Sequence, residues 1–269
     1  IIAVLRDISE RKQTEEKLRD NARQLQNYYD QTQAEQQLAL RLMEKQLHRS
    51  GLQDRSLRYK VIPAEHFSGD IVAAARSMDG HLYVLLADAT GHGLDAAISA
   101  LPVLALFYRM TKLNRTVQEI VSELNQQLKE SMPIGRFVAV TLARLDEKAR
   151  QGEIWVGGTP EAFLFDRWGR VKTTFPSANL PLGIINSSEL GGSPQTFTWE
   201  PESQLILCSD GLIEATNPAN EQFGTNGLIH ATANTSPADR FEKIQAALHA
   251  HQNGCAASDD VSLMLIDCP

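Results

Sequence analysis

The chain of 269 residues sets 33 acidic against 26 basic side chains, a net charge of −7, and is 42% apolar. That balance excludes a disordered chain, argues against nucleic acid as a partner, and allows the core of one large or two modest domains. The longest uncharged apolar run, Ala96–Tyr108, falls short of a bilayer span, no secretory leader is read, and Cys208, Cys255 and Cys268 form no metal-like pair, which favours a reducing, cytoplasmic setting without disulfides.

At the start, Ile1–Leu5 reads as a strand cut from something longer, and Asp7-Ile-Ser-Glu10 as a helix start. Glu10 to His48 contains no Gly or Pro and is dominated by Gln, Glu, Arg, Leu and Ala. That is helix composition, extending nearly 60 Å at roughly 1.5 Å per residue. Leu18, Ala22, Leu25, Tyr29, Thr32, Gln36, Ala39 and Met43 trace a heptad seam, and Leu40, Met43 and Leu47 a second one, so the register slips near residues 36–40. A coiled-coil-like signalling helix that joins two copies of the chain is expected, and the bland reading is a linker helix folded on its own domain. Gly51 reads as its stop. Val4-Leu-Arg-Asp-Ile-Ser-Glu-Arg-Lys12 is similar to the last strand and exit helix of PAS sensor domains. The expected division is therefore 1–9, the remnant of a PAS-like sensor; 10–55, a linker and dimerisation helix; and 56–269, one α/β domain.

Within that domain, Ile71–Ser77 is a strand-like run, Met78-Asp-Gly80 a hairpin turn, and residues 82–87 a buried strand closed by Asp88. Gly91 and Gly93 permit a sharp turn into an apolar helix from Leu94 to Tyr108, which Pro102 should bend or split. Thr116-Val-Gln-Glu119 is a capping box, followed by an apolar stripe at Val117, Ile120, Val121, Leu124 and Leu128. Short strands follow at Phe137–Leu145, Ile154–Val156, Ala162–Phe165, Val171–Thr174, Gln204–Ser209 and Val261–Ile266. Ser236-Pro237 opens a helix whose face is Phe241, Ile244, Ala247, Leu248 and His251. Many locally connected strands, with helices out of regular alternation, favour an α+β fold of antiparallel layers over a doubly wound sheet.

Four positions repeat one form, an Asp at a strand end beside Gly or a second Asp: Asp70, Asp88, Asp210 and the pair Asp259/Asp260. Each alone reads as a turn or capping carboxylate. The hairpin puts Asp70 and Asp88 on one sheet edge, where two carboxylates repel unless they share a proton or a cation. No His/Cys cluster has zinc spacing, and oxygen-only ligands suit Mg²⁺ or Mn²⁺. Two such ions would offset the charge, hold phosphate oxygens and activate a water, which serves phosphate-ester hydrolysis. His92 reads as a turn residue packing on its loop, His48, His66, His81, His230, His249 and His251 as surface or packing residues, and Cys208 as a small buried apolar side chain. No arginine is tied to a phosphate by sequence.

Phe67-Ser-Gly-Asp70, Asp88-Ala-Thr-Gly-His-Gly93, Ser209-Asp-Gly-Leu-Ile-Glu-Ala215 with Asn217-Pro218 and Phe223-Gly224, and Ser258-Asp-Asp-Val-Ser262 occur in that order, with Thr159-Pro160 and Pro181-Leu-Gly183 between them. Over residues 60–267 this series resembles the SpoIIE/RsbU branch of metal-dependent protein phosphatases, the PPM superfamily to which protein phosphatase 2C belongs. The resemblance implies an antiparallel β-sandwich flanked by helices, in an αββα order, and two divalent ions. Asp88 would bridge both; the Ala89 carbonyl and Asp70 would hold one, and Asp210 and Asp259 the other, Asp259 being chosen over Asp260 by motif position. It further implies a substrate phosphorylated on Ser or Thr, a STAS-type anti-anti-sigma protein in bacterial partner switching under an upstream sensor. Relatives carry another Asp shortly after Asp70, where this chain has Ile71-Val-Ala-Ala-Ala75. That departure motivates the alternative, a catalytically weak module that sequesters an anti-sigma or STAS partner. A two-metal phosphodiesterase acting on small nucleotides is a third reading, for which no base pocket is evident.

Overall fold

A computed structural model describes residues 2–47, 50–64, 68–91, 93–133, 135–187 and 189–269. Of the side chains up to position 50 only 11–35 and 38 are described, and that of Ala100 is not. The chain divides into two compact units, Ile1–Lys45 and Gln46–Pro269.

The first unit lies within helix α1 (Ile2–Leu47). The strand expected over Ile1–Leu5 is not found: the helix already runs from Ile2, because no Gly or Pro separates this apolar run from the helix formers that follow. Side-chain pairs four residues apart line its surface, Arg11 with Glu15 at 3.2 Å, Gln26 with Asp30 at 2.9 Å and Gln31 with Glu35 at 2.9 Å. The expected seam is bare: Leu18, Leu25 and Tyr29 are 63%, 75% and 59% exposed. Its later members, Gln36, Ala39, Leu40, Met43 and Leu47, lie outside the described side chains.

The second unit begins with a 3-10 turn at Ser50–Gln53. Gly51 is therefore not the helix stop it was read as; it serves a close approach instead, since a Cβ there would sit 1.7 Å from the Ala74 carbonyl oxygen. Among the described residues ten strands follow: β1 (Leu57–Ile62), β2 (Asp70–Arg76), β3 (Leu82–Ala89), β4 (Val138–Asp146), β5 (Gln151–Gly157), β6 (Ala162–Phe165), β7 (Val171–Phe175), β8 (Gln195–Thr198), β9 (Ser203–Cys208) and β10 (Val261–Cys268). Five helices accompany them: α2 (Gly93–Lys112), α3 (Val117–Ser131), α4 (Asp210–Glu214), α5 (Gly224–Thr232) and α6 (Pro237–Gln252). One sheet has the order β1-β10-β9-β6-β7 and the other β2-β3-β4-β5-β8, with every pairing between named strands antiparallel. The expected α+β sandwich flanked by helices is the fold observed.

Alternation along each strand assigns the faces. Val72, Ala74, Val84, Leu86, Leu205, Leu207, Met264 and Ile266 fill the layer between the sheets. The opposite parity of the β2–β5 sheet, Ile71, Ala73, Leu85, Ala87 and Val140, packs under α2 and α3 with Phe107, Ile120 and Leu124. On the other sheet Phe163, Ile206, Leu263 and Leu265 pack with Leu212, Leu228, Phe241 and Ile244 of α4–α6. The layers are thus helix, sheet, sheet, helix.

Pro102 lies inside α2 without splitting it. The carbonyl it leaves unpaired belongs to Ile98, whose side chain is on an exposed face, where water can serve the backbone. Against the expectation for Ala96–Tyr108, α2 is long and apolar enough to cross a membrane by length and composition; it is instead the inner cover of a sheet. β1, β8, α4 and α5 were not foreseen. The expected capping box at Thr116 is present in both directions. Thr116→Ala is expected to cost about 1 kcal/mol, a drop in Tm of roughly 2–4 °C for a domain of this size; calorimetry that finds no change would show the cap to be idle.

Candidate metal centre

Register places the first two carboxylates. Asp70, at the start of β2, is paired directly with Asp88, near the end of β3. Counting back in steps of two, Asp88 shares a face with Leu86 and Val84, and Asp70 with Val72. Both acidic side chains therefore lie on the inter-sheet face, at the end where the apolar filling stops. From the facing sheet, β9 ends at Cys208 and leads through Ser209 to Asp210, the first residue of α4, and β10 starts just after Asp259 and Asp260. Ser209 and Ser262 tie those two strand ends together: the Ser209 N–H donates to the Ser262 carbonyl at 3.0 Å and the Ser262 N–H to Ser209 Oγ at 2.8 Å. The centre is thus split between two sheets, Asp70 and Asp88 on one and Asp210 and Asp259 on the other.

The four carboxylates act on one another's proton affinity. Asp88 is pushed up to about 8, first by burial and then by the charges of Asp70, Asp210, Asp259 and Asp260. Asp70, 4% exposed, is pushed up to about 7 by burial and by Asp260 and Asp210, against a downward pull from the nearby hydroxyls of Ser262 and Ser209. Asp70 Oδ2 and Ser262 Oγ are both buried, and neither has a hydrogen bond among the described residues. Asp210 is raised by burial and by Asp259, the N–H of Gly211 pulling the other way. Among the described residues no three acidic, His or Cys side chains close around a point as a ready ligand group. Among the described residues, a buried carboxylate oxygen without a hydrogen bond, in an all-oxygen set, fits a hard divalent ion.

Asp259 and Asp260 separate cleanly. Asp260 is 3% exposed, and its two oxygens accept the backbone N–H groups of Ala64 at 2.8 Å and Gly69 at 2.6 Å. Asp259 is exposed and, among the described residues, accepts only the Asp260 N–H, at 2.8 Å.

The turn after Asp88 is held from three sides. Gly91 and Gly93 have φ of +92° and +76°, a region that favours glycine. The Ala89 N–H donates to the Gly69 carbonyl at 3.3 Å and the Thr90 N–H to the Phe137 carbonyl at 3.0 Å. Arg136 Nη1 donates to the Thr90 carbonyl at 2.6 Å, while its Nη2 lies 3.9 Å from the exposed Asp95 carboxylate. Sequence gave no signal for Arg136, which is 46 positions from Thr90. Of the flanking motifs, Thr159 is buried and bonded to Thr141 at 2.5 Å, and Leu182 bridges to Val138, the partner of Ala89. Cys208 is buried as expected, its thiol pushed up to about 12 by burial. Phe67, His48, His66 and His92 lie outside the described residues.

Two antiparallel sheets under helices, with acidic strand ends gathered where the sheets part, define the fold of PP2C-type domains. It is shared with the PP2C domain of SiaA from Pseudomonas aeruginosa, at a TM-score of 0.74 and 17% identity over 88% of this chain and 96% of that one. The chain belongs to the SpoIIE family: the pattern of Stage II sporulation protein E (SpoIIE) matches residues 78–269. It is 23% identical over 209 residues, 76% of its length, to the phosphoserine phosphatase RsbP of Bacillus subtilis (strain 168), and spans 50% of that protein. Its fold is also that of RsbX in complex with magnesium, at a TM-score of 0.57 and 19% identity over 80% of this chain and 97% of that one.

Proposed function

We propose that the protein is a metal-dependent phosphoserine/phosphothreonine protein phosphatase. One observation carries the reading: Asp70 and Asp88 stand opposite each other at the inter-sheet edge, with a buried Asp70 oxygen that no donor satisfies. Two Mn²⁺ or Mg²⁺ ions would be held by Asp70, Asp88, the Ala89 carbonyl, Asp210 and Asp259, with Asp88 common to both. The magnesium bound in RsbX supports this choice of ion class. When bound, such ions supply positive charge to phosphate oxygens and a water nucleophile near neutral pH. Burial and neighbouring carboxylates raise Asp88 to about 8 and raise Asp210 as well, so a divalent cation held there would compete with a proton on Asp88. The glycine turn and Arg136 fix the Ala89–Thr90 backbone in place.

The substrate is a phosphorylated STAS-type partner, a reading that rests on the motif series, the name of RsbP supporting only the phosphoserine, and the setting is the reducing bacterial cytoplasm. Control comes from an upstream sensor through α1, which pairs with a second copy along the exposed Leu18, Leu25 and Tyr29. Light scattering on a chain starting near Ser56 tests the pairing: a mass per particle unchanged from dimeric full-length protein would remove α1 as the dimeriser. For the activity, the purified chain with Mn²⁺ is expected to hydrolyse p-nitrophenyl phosphate and a phospho-STAS protein, and to stop when EDTA is added. No turnover of either would overturn the reading. Binding of an anti-sigma or STAS partner that persists in EDTA, without turnover, would favour the sequestering module instead.

A further inference from the structure

The divided centre raises the question of what keeps its halves at a fixed spacing, and two segments converge on one residue, Asp260, that no ligand role uses. Asp260, at the head of β10 on one sheet, accepts the N–H groups of Ala64 and Gly69, which flank the crossing into β2 on the other. Gly69 immediately precedes Asp70, and its carbonyl accepts the Ala89 N–H, so the bond reaches both carboxylates of the far sheet. The Asp260 carbonyl meanwhile accepts Ser209 Oγ at 3.1 Å and lies 2.1 Å from where a Cβ on Gly211 would be, which pins the Asp210 turn.

We propose that Asp260 is a positioning residue: it sets the distance between Asp70 and Asp88 on one sheet and Asp210 and Asp259 on the other, and so sets cation affinity without touching the ion. The proposal rests on the phosphatase reading for where the ions sit. Its physical basis is that groups behind metal ligands orient them, and that their loss weakens metal binding by about 10–100-fold.

The test is calorimetric titration of the full chain with Mn²⁺ alone. Asp260→Asn keeps the shape of the side chain but only one accepting oxygen, and is expected to weaken Mn²⁺ by about 10–100-fold. In the same variant hydrogen exchange at the Ala64 and Gly69 amides should quicken. In an Asp70→Asn background, adding Asp260→Asn should cost less than about threefold, since the ligand it positions is already gone. A full second loss there would make Asp260 a ligand in its own right and overturn the proposal. So would a lowered Tm with unchanged Mn²⁺ affinity, which marks a structural bond only. Should Asp260→Asn fail to fold, Ala64→Pro deletes one donated N–H and leaves every carboxylate in place. It should weaken Mn²⁺ several-fold, and unchanged affinity would overturn the proposal. Mn²⁺ uptake by the wild type with no effect of either variant defeats only the role of Asp260, whereas no uptake by the wild type defeats the metal reading as well.

Discussion

Asp88→Asn is expected to abolish Mn²⁺-dependent hydrolysis while making the metal-free protein more stable at pH 8. The loss should exceed the roughly 100-fold that follows removal of a group behind a ligand, because Asp88 is the carboxylate shared by both proposed ion positions. The stability gain follows from proton linkage. Burial first, then the charges of Asp70, Asp210, Asp259 and Asp260, push Asp88 up to about 8, from an ordinary value of 3.8. The folded protein therefore holds a proton that the unfolded chain releases. That contribution is complete below pH ~4 and is lost as pH climbs through about 8. Asparagine has no such proton to lose. A tenfold change in proton affinity is worth about 1.4 kcal/mol, and 1 kcal/mol moves Tm by about 2–4 °C in a domain of this size. In EDTA the variant should thus melt several degrees above wild type at pH 8, the gap closing towards pH 4. A wild type that melts higher than the variant at pH 8 would refute the raised proton affinity.

Gly211→Ala should damage stability and ion binding together. Its Cβ would lie 2.1 Å from the Asp260 carbonyl oxygen and 3.3 Å from the Asp259 carbonyl carbon. Both obstacles are backbone, so neither can swing aside. Forcing them apart costs about 1–3 kcal/mol, a Tm lower by roughly 2–12 °C, and moves the turn that presents Asp259. Mn²⁺ affinity should fall by at least about tenfold. Thermal melts and titrations indistinguishable from wild type would show that the two turns are not in contact.

The parts of this site that sequence exposed are those governed by short-range rules. A tight turn at Met78–Gly80 forces β2 and β3 into antiparallel pairing, and alternation then fixes the face of Asp70 and Asp88. The capped α3 and α6 were equally readable, since side-chain caps and an apolar stripe are local. What stayed hidden is carried by backbone partners far along the chain. The bond from Gly69 to Asp260 spans 191 positions, and a backbone N–H leaves no mark in a side-chain alphabet; Asp260 was therefore indistinguishable from Asp259 except by its place in a motif. β8 was missed because only Phe197 of Gln195–Thr198 is buried, too little for a pattern. Helices α4 and α5 are five and nine residues long, each with an internal glycine, below the length at which periodicity speaks. At Pro102 the local rule misled, since the burial of α2 against a sheet outweighs one lost hydrogen bond.

Because the two pairs of acidic groups ride on separate sheets, cation uptake at the proposed centre would act as a clasp between two leaves. Filling the centre should stiffen the slab of Val84, Leu86, Leu207 and Met264 behind it, and a shear of one leaf over the other by a fraction of an ångström should loosen the grip. Sensitivity to ion level could then be tuned from the hydrophobic interior, with every charged residue left unchanged.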